Sequence, residues 1–274
     1  MTVAEALTQG SACLRGERRE AEWLLSHVLD WSRANLFTHA KQFLTTDQQA
    51  RYEALLMRRI QGEPLAYLLG RWEFWSLELN VGPAVLIPRP ETELLVELAL
   101  ARIPTGTSQA VADLGTGSGA VALAVAGERP ACRVTATDCC PAALAIAETN
   151  ARHLGLTNVE FLVGDWCTPL AERRFHLILA NPPYVASNDP HLNDLRFEPE
   201  IALTAGPDGL AAIRRIAATA CDYLYPGGTL LLEHGYDQGA SVRHLLTGLH
   251  YDGLETLPDL EGRERVTLGK AALR

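Results

Sequence analysis

The 274-residue chain is 47% hydrophobic and 21% charged, a globular balance with enough apolar residues for one large or two modest domains. Its net charge of -9 is uneven: residues 1–72 hold 9 Lys+Arg against 8 Asp+Glu, and residues 73–274 hold 15 against 25. An acidic larger part argues against stable, phosphate-driven binding of nucleic acid. No run of about 18 apolar residues occurs, which removes a transmembrane helix. The start, MTVAEALTQGSACLRGERRE, lacks the basic-then-apolar order of a secretory signal, so a cytoplasmic protein is expected.

Residues 1 to about 70 read as a small helical bundle. From Glu20 to Trp31 the apolar positions Ala21, Leu24, Leu25, Val28 and Leu29 recur at the spacing of one helix face. Asp47 to Ile60 repeats the pattern through Ala50, Leu55, Leu56 and Ile60, with Thr46 or Asp47 as its cap. Between Gly62 and Pro90 the texture changes: Pro64, Pro83, Pro88 and Pro90 punctuate an alternating stretch around Phe74 to Leu79. That pattern predicts a short hairpin acting as a linker over 73–90, after a helical domain over 1–72 and before a third segment, 91–274.

Glu91 to Arg102 has helical periodicity, and from Ala110 onward strands and helices alternate. Strands are predicted over Ala110–Leu114, Arg133–Asp138, Val159–Val163, Phe175–Ala180, Thr229–Glu233, weakly near Leu254–Leu257, and over Arg265–Leu268. Helices are predicted near 118–127, 141–154, 208–224 and 238–248. Alternation of this kind implies an α/β fold with a parallel sheet covered on both faces. The last two strands lack a long helix between them, which places one antiparallel strand near the edge.

Asp113-Leu114-Gly115-Thr116-Gly117-Ser118-Gly119 falls between a predicted strand and helix. Its glycines permit a tight turn and close backbone approach to a ligand, and the helix start offers free N–H groups. Asp138 ends the next strand, where a carboxylate can accept both hydroxyls of a ribose. Both features also fit a nicotinamide dinucleotide, since Gly115, Gly117 and Ala120 satisfy G-x-G-x-x-A. After the third strand come Gly164-Asp165-Trp166; a carboxylate there can accept from an adenine amino group and an indole can border the purine.

The fourth strand, FHLILA, runs directly into Asn181-Pro182-Pro183-Tyr184. Two prolines fix φ and stiffen the turn. The Asn181 side-chain carbonyl and the Pro182 backbone carbonyl are two acceptors able to hold both N–H bonds of an amide or aromatic amine. Such a nitrogen is a poor nucleophile because its lone pair is delocalised, and positioning it supplies what it lacks. Tyr184 can pack on the flat face of the target group. No metal or nucleophilic side chain is required, and a dehydrogenase has no use for this arrangement.

Cysteines stand at 13, 132, 139, 140, 167 and 221 without a C-x-x-C pair, and read as free thiols. Neither His176 nor His234 has the carboxylate or cysteine spacing of a metal site.

On the segments GEPLAYLLG, EFWSLELNVGPAVLIPRPETE, DLGTGSGAVALA, GDW, NPPY, EPEIALTAGPDGL, LLLEHGYDQG and DLEGRERV, the chain resembles the release-factor glutamine methyltransferases over almost its whole length. The resemblance implies a Rossmann-like, seven-stranded class I methyltransferase domain behind a helical substrate-recognition domain. It implies S-adenosylmethionine as methyl donor, S-adenosylhomocysteine as product, and the GGQ glutamine of class I peptide chain release factors as acceptor, modulating translation termination. In that reading Asp113 and Gly115 to Gly119 (with Thr116, Gly117 and Ser118) cradle the donor, Asp138 binds ribose, and Asp165 and Trp166 border the adenine. Asn181, Pro182, Pro183 and Tyr184 form the glutamine site, with Asn181 also near the donor and Asn181, Pro182 and Tyr184 the catalytic group. Glu198, Glu233 and Arg263 fall in matching segments and read as structural or as supports behind the residues that touch the ligands, not as catalytic. Nothing requires more than a monomer. The competing readings are a methyltransferase acting on a flipped base, a donor-binding adaptor without turnover, and an NAD oxidoreductase.

Overall fold

The computed structural model describes residues 1–272, and the chain divides into two compact units, Met1–Arg71 and a second from Trp72 onward. The first unit is helical. Helix α1 (Val3–Cys13) opens with a capping box in which Thr2 and Glu5 each satisfy the other's backbone N–H. Then follow α2 (Arg18–Leu29), α3 (Arg33–Thr38), α4 (Thr46–Ile60) and α5 (Leu65–Leu69). The apolar stripe of α2, including Leu24, Leu25, Val28 and Leu29, is buried as its spacing predicts. The cap of α4 is Thr45, one residue before the expected pair, because Gln48 sits three positions on and closes a second capping box. Tyr52 is buried and donates to the Ala21 carbonyl at 3.2 Å.

The second unit starts with a two-stranded hairpin, β1 (Arg71–Phe74) and β2 (Leu77–Asn80). Its corner residues, Trp75 and Ser76, both adopt positive φ, 51° and 57°, the twist a tight hairpin needs but which neither residue favours. The turn is held from outside: the Trp75 backbone N–H donates to Glu93 and its indole N–H to Glu128. Phe74 and Leu79 are buried with Leu95 and Val96, so segment 73–90 packs into this unit.

A 3-10 turn (Pro90–Thr92) leads into α6 (Glu93–Arg102). There follow β3 (Ala110–Leu114), α7 (Ala120–Glu128), β4 (Arg133–Asp138), α8 (Pro141–His153), β5 (Val159–Val163) and β6 (Phe175–Ala180). The chain continues through α9 (Ala211–Ala220), β7 (Leu224–Glu233), α10 (Gly239–Gly248), β8 (Asp252–Pro258) and β9 (Glu264–Lys270). The sheet order is β5-β4-β3-β6-β7-β9-β8. The first five strands are mutually parallel, and β9 runs antiparallel to both its neighbours. This is the expected α/β architecture, with the antiparallel strand one place in from the edge.

Strand β6 shows why the sheet is covered twice. Leu177 and Leu179 join a core with Val121, Leu123 and Leu95, while Ile178 and Ala180 join another with Ile213, Ile216, Val242 and Leu246. A strand buried on both faces reads as a continuous apolar run rather than an alternating one. Among the described residues no helix is long and apolar enough to cross a membrane.

One buried polar residue joins three parts of this unit. Asn150, fully buried on α8, accepts from the Asn80 backbone and side-chain N–H groups at 2.7 and 2.8 Å. Its own amide donates to the carbonyls of Asn80 and Ser118 at 3.0 and 2.9 Å. Replacing it by Ala removes the partner of the buried Ser118 carbonyl and of the half-buried Asn80 groups. We expect Asn150→Ala to destabilise the full chain by roughly 2–4 kcal/mol, read as a fall in the urea midpoint; a loss within experimental error would contradict the joint.

Candidate functional site

The parallel register aligns the carboxyl ends of the strands. Leu114 pairs with Thr137 and with Ala180, and Asp138 pairs with Val163. The loops after β3, β4, β5 and β6 therefore leave one edge of the sheet, where ligands of open α/β folds sit. They bound a crevice of about 460 Å³, a size suited to a small-molecule ligand.

The loop after β3 is anchored by its own backbone. Gly115 and Thr116 N–H groups both donate to the Thr137 carbonyl, at 2.8 and 2.9 Å. The Thr116 hydroxyl donates to buried Asp113 at 2.6 Å; burial outweighs that bond and pushes the Asp113 carboxyl up to about 6. Gly115, Gly117 and Gly119 have φ of 74°, 55° and 85°, a conformation that side chains resist. A side chain on Gly115 would also meet the Trp166 ring at 2.8 Å, whereas the face of Gly117 is open. Gly119 does not line the crevice: it packs against Leu123 and Ala147 at the start of α7.

Asp138 divides its carboxylate between two backbone donors. Oδ2 accepts from Gly117 at 2.9 Å and Oδ1 from Cys140 at 2.8 Å. Each oxygen keeps lone-pair capacity toward the crevice. Trp166, with φ 51°, takes a left-handed backbone uncommon outside glycine. The Thr137 hydroxyl donates to its carbonyl at 3.0 Å. Asp165 lines the crevice but is ion-paired with Arg215, which sequence reading did not anticipate.

The Asn-Pro-Pro-Tyr segment divides its side chains. Asn181 and Pro183 line the crevice, Pro182 is buried, and Tyr184 instead lines a neighbouring cleft of about 880 Å³. Asn181 Nδ2 donates to the Thr92 hydroxyl at 3.0 Å, so its carbonyl oxygen is left as the free end of the amide. The Tyr184 hydroxyl donates to Glu233 at 3.3 Å, and the Tyr184 carbonyl accepts from Gln238 at 3.0 Å.

Sequence reading missed Thr92 as a site residue, and left open whether Glu233 and Glu198 are structural or support the residues that touch a ligand. Thr92 sits in IPRPET, and that segment is held by buried Glu198, which accepts from the Ile87 N–H at 3.1 Å and pairs with Arg89. Glu233, the last residue of β7, is fully buried beside Asn181 and Tyr184. Burial raises its carboxyl from 4.5 to about 7, against the opposing pull of Thr92, Arg265 and Tyr184. The signal was a carboxylate directly after the apolar run Leu230 to Leu232 in TLLLE, where an unpaired charge is costly.

Residues 5–70 match the PrmC N-terminal domain family and residues 91–195 the methyltransferase small domain family. The chain is similar to the release factor glutamine methyltransferase of Xylella fastidiosa (strain 9a5c), at 52% identity over 262 residues, 95% of each chain. It is 47% identical over 270 residues to the protein of that name from Escherichia coli (strain K12), covering 98% of this chain and 97% of the other. A methyltransferase structure from Pyrococcus furiosus shares the fold, with a TM-score of 0.56, 18% identity, and coverage of 83% of this chain and all of that one.

The raised Glu233 carboxyl carries a stability consequence. In the unfolded chain this group ionises near 4.5, and in the folded chain near 7. Its favourable contribution is therefore complete below about pH 4.5 and is lost as pH rises to about 7. We expect Glu233→Gln to flatten the fall in stability between pH 5 and pH 8, by on the order of 3 kcal/mol, as measured by urea unfolding at both pH values. Parallel curves for the two proteins would show that burying this carboxyl costs nothing.

Proposed function

The chain belongs to the release factor glutamine methyltransferase family, and from that premise we propose that it methylates the side-chain amide nitrogen of the GGQ glutamine in class I peptide chain release factors. The observation that carries the reading is the pinned Asn181 amide: its Nδ2 is spent on Thr92, so its carbonyl oxygen is the end available to accept an N–H from a substrate.

The residues present fit S-adenosylmethionine. A glycine loop with an open face at Gly117 lets backbone approach a ligand closely. Asp138 retains acceptor capacity for two ribose hydroxyls, and Trp166 offers an indole wall beside Gly115. Thr116 and Ser118 complete the cradle, and Asp165, although paired with Arg215, retains lone pairs for an adenine amino group. Bound there, S-adenosylmethionine supplies a methyl carbon on a positively charged sulfur.

The chain's own part is positional. Asn181 and the Pro182 carbonyl each accept one N–H of the glutamine amide, fixing its plane and aiming the nitrogen. As the nitrogen–methyl bond forms and the carbon–sulfur bond breaks, positive charge grows on the nitrogen, and two fixed oxygen acceptors favour that charge. The amide proton then leaves to solvent, and S-adenosylhomocysteine is released. Tyr184, lining the neighbouring cleft, borders the path by which a glutamine-bearing loop reaches Asn181. The helical domain, 1–72, recognises the body of the release factor, the hairpin segment, 73–90, joins it to the rest, and 91–274 carries transfer. Release factors act on ribosomes, so the reading places the enzyme in the cytoplasm, working as a monomer without stable nucleic-acid binding.

Incubation with labelled donor and purified release factor, followed by mass spectrometry of the GGQ peptide, tests the reading. One added methyl on the glutamine is expected; label entering only nucleic acid overturns it. Asn181→Ala should lower kcat at least 100-fold, on the scale of losing one transition-state contact. Donor affinity by calorimetry should stay within a few-fold. Unchanged turnover in that variant would refute the role given to Asn181.

A further inference from the structure

We infer that Gln238 is a positioning residue for the acceptor site: its side-chain amide holds the exit of the Asn-Pro-Pro-Tyr segment and so sets the direction of the Pro182 carbonyl. The inference rests on the proposed transfer to a glutamine nitrogen, and it names the side chain that keeps one of the two acceptors in place.

The segment cannot hold itself. Pro182 and Pro183 have no backbone N–H, so neither can anchor the turn as a donor. Their rings fix φ, and the rotation left in the middle of the turn lies in ψ. That rotation decides where the Pro182 carbonyl points, and it is determined once both ends of the segment are fixed. The entrance is fixed by β6, whose last residue, Ala180, pairs with Leu114 and Leu232, and by the bond from Asn181 to Thr92. The exit is the peptide unit between Tyr184 and Val185, and it is gripped on both sides. The Val185 N–H donates to the Leu203 carbonyl at 2.9 Å, and the Tyr184 carbonyl accepts from Gln238 Nε2 at 3.0 Å.

Gln238 is oriented by partners whose roles are fixed. Its Oε1 accepts from the Gly235 N–H at 2.8 Å, and a backbone N–H can only donate. Its Nε2 faces the carbonyls of Tyr184 and Asp208, at 3.0 and 3.4 Å, and a carbonyl can only accept. The network therefore allows the amide one orientation. The backbone at this position is held as well, since the Gln238 N–H donates to the Gly235 carbonyl at 2.9 Å directly before α10. Three stretches meet at the amide: the loop after β6, the turn before α9 and the end of β7. Gly209 shows how closely they meet. Its φ is 70°, and a Cβ there would lie 2.2 Å from the Tyr184 carbonyl oxygen and 2.8 Å from Gln238 Nε2. Only a residue without a side chain leaves room for this bond.

A packing role would be satisfied by an isosteric side chain; a role as donor is not. Gln238→Glu keeps the shape and the acceptor toward Gly235, and sets an oxygen against two carbonyls. We expect it to lower kcat for release-factor methylation at least tenfold. The donor Kd by calorimetry should stay within threefold, because Gln238 lines the neighbouring cleft and not the donor crevice. Gly209→Ala breaks the same bond from the other side and should lower kcat to a similar extent. The double variant should be no slower than the slower single one, because both changes break one bond. Full kcat in Gln238→Glu, effects that multiply in the double variant, or an equal loss of donor affinity would overturn the inference. Should Gly209→Ala fail to fold, Gln238→Glu decides alone by the same two measurements.

A second readout separates this inference from the choice of substrate. In the free protein labelled with fluorinated tyrosine, the Tyr184 signal is assigned by its loss in Tyr184→Phe. By fluorine NMR it should be a single narrow line in the wild type, and shifted with broadening or splitting in Gln238→Glu. An unchanged Tyr184 line overturns the inference. A line that changes in this way, in a protein that leaves release factors unmethylated, would retain the hold of Gln238 on the segment and remove the proposed substrate.

Discussion

The in-register parallel pairing of β4, β3, β6 and β7 sets the positions of everything else in the site. Thr137, Leu114, Ala180 and Leu232 stand abreast, and so the glycine loop, Asp138, Asn181 and Glu233 leave the sheet within reach of one another. No single loop carries the function. Each contributes one chemical capability, and the sheet supplies the alignment that makes them a site. A one-residue slip of β6 would exchange the two faces of FHLILA between the two cores, which hydrophobic burial on both faces resists.

At this sheet edge stability and chemistry pull in opposite directions. A fully buried carboxyl at the end of an apolar strand is an expensive choice when a leucine would pack there. Asp113 is a second buried carboxyl, at the end of β3, and it is raised by burial as well. One of them shapes the glycine loop through Thr116, and the other accepts from the Tyr184 hydroxyl.

Much of this was legible in the sequence because the relevant physics is local. The parallel strands β3 to β6 followed from their apolar runs and the loops that end them, and DLGTGSG, Asp138, GDW and NPPY announced themselves by residue type and order. Where local signals were diluted, the reading blurred. Strand β7 begins at Leu224, earlier than its apolar run suggests, because it passes through Pro226, Gly227 and Gly228. Trp75 and Ser76 carry no turn signature, and their conformation depends on Glu93 and Glu128. The Thr92 contact to Asn181 spans 89 positions, and no period or spacing encodes it. Glu233 was visible only as an anomaly, a charge where the pattern called for an apolar side chain.

The pairing of Gly115 with Trp166 has a consequence beyond the geometry of the crevice. The indole occupies the volume that any side chain at 115 would need, so the two positions behave as one shape divided between two loops. A change at either position alone therefore alters the wall of the crevice that both residues line.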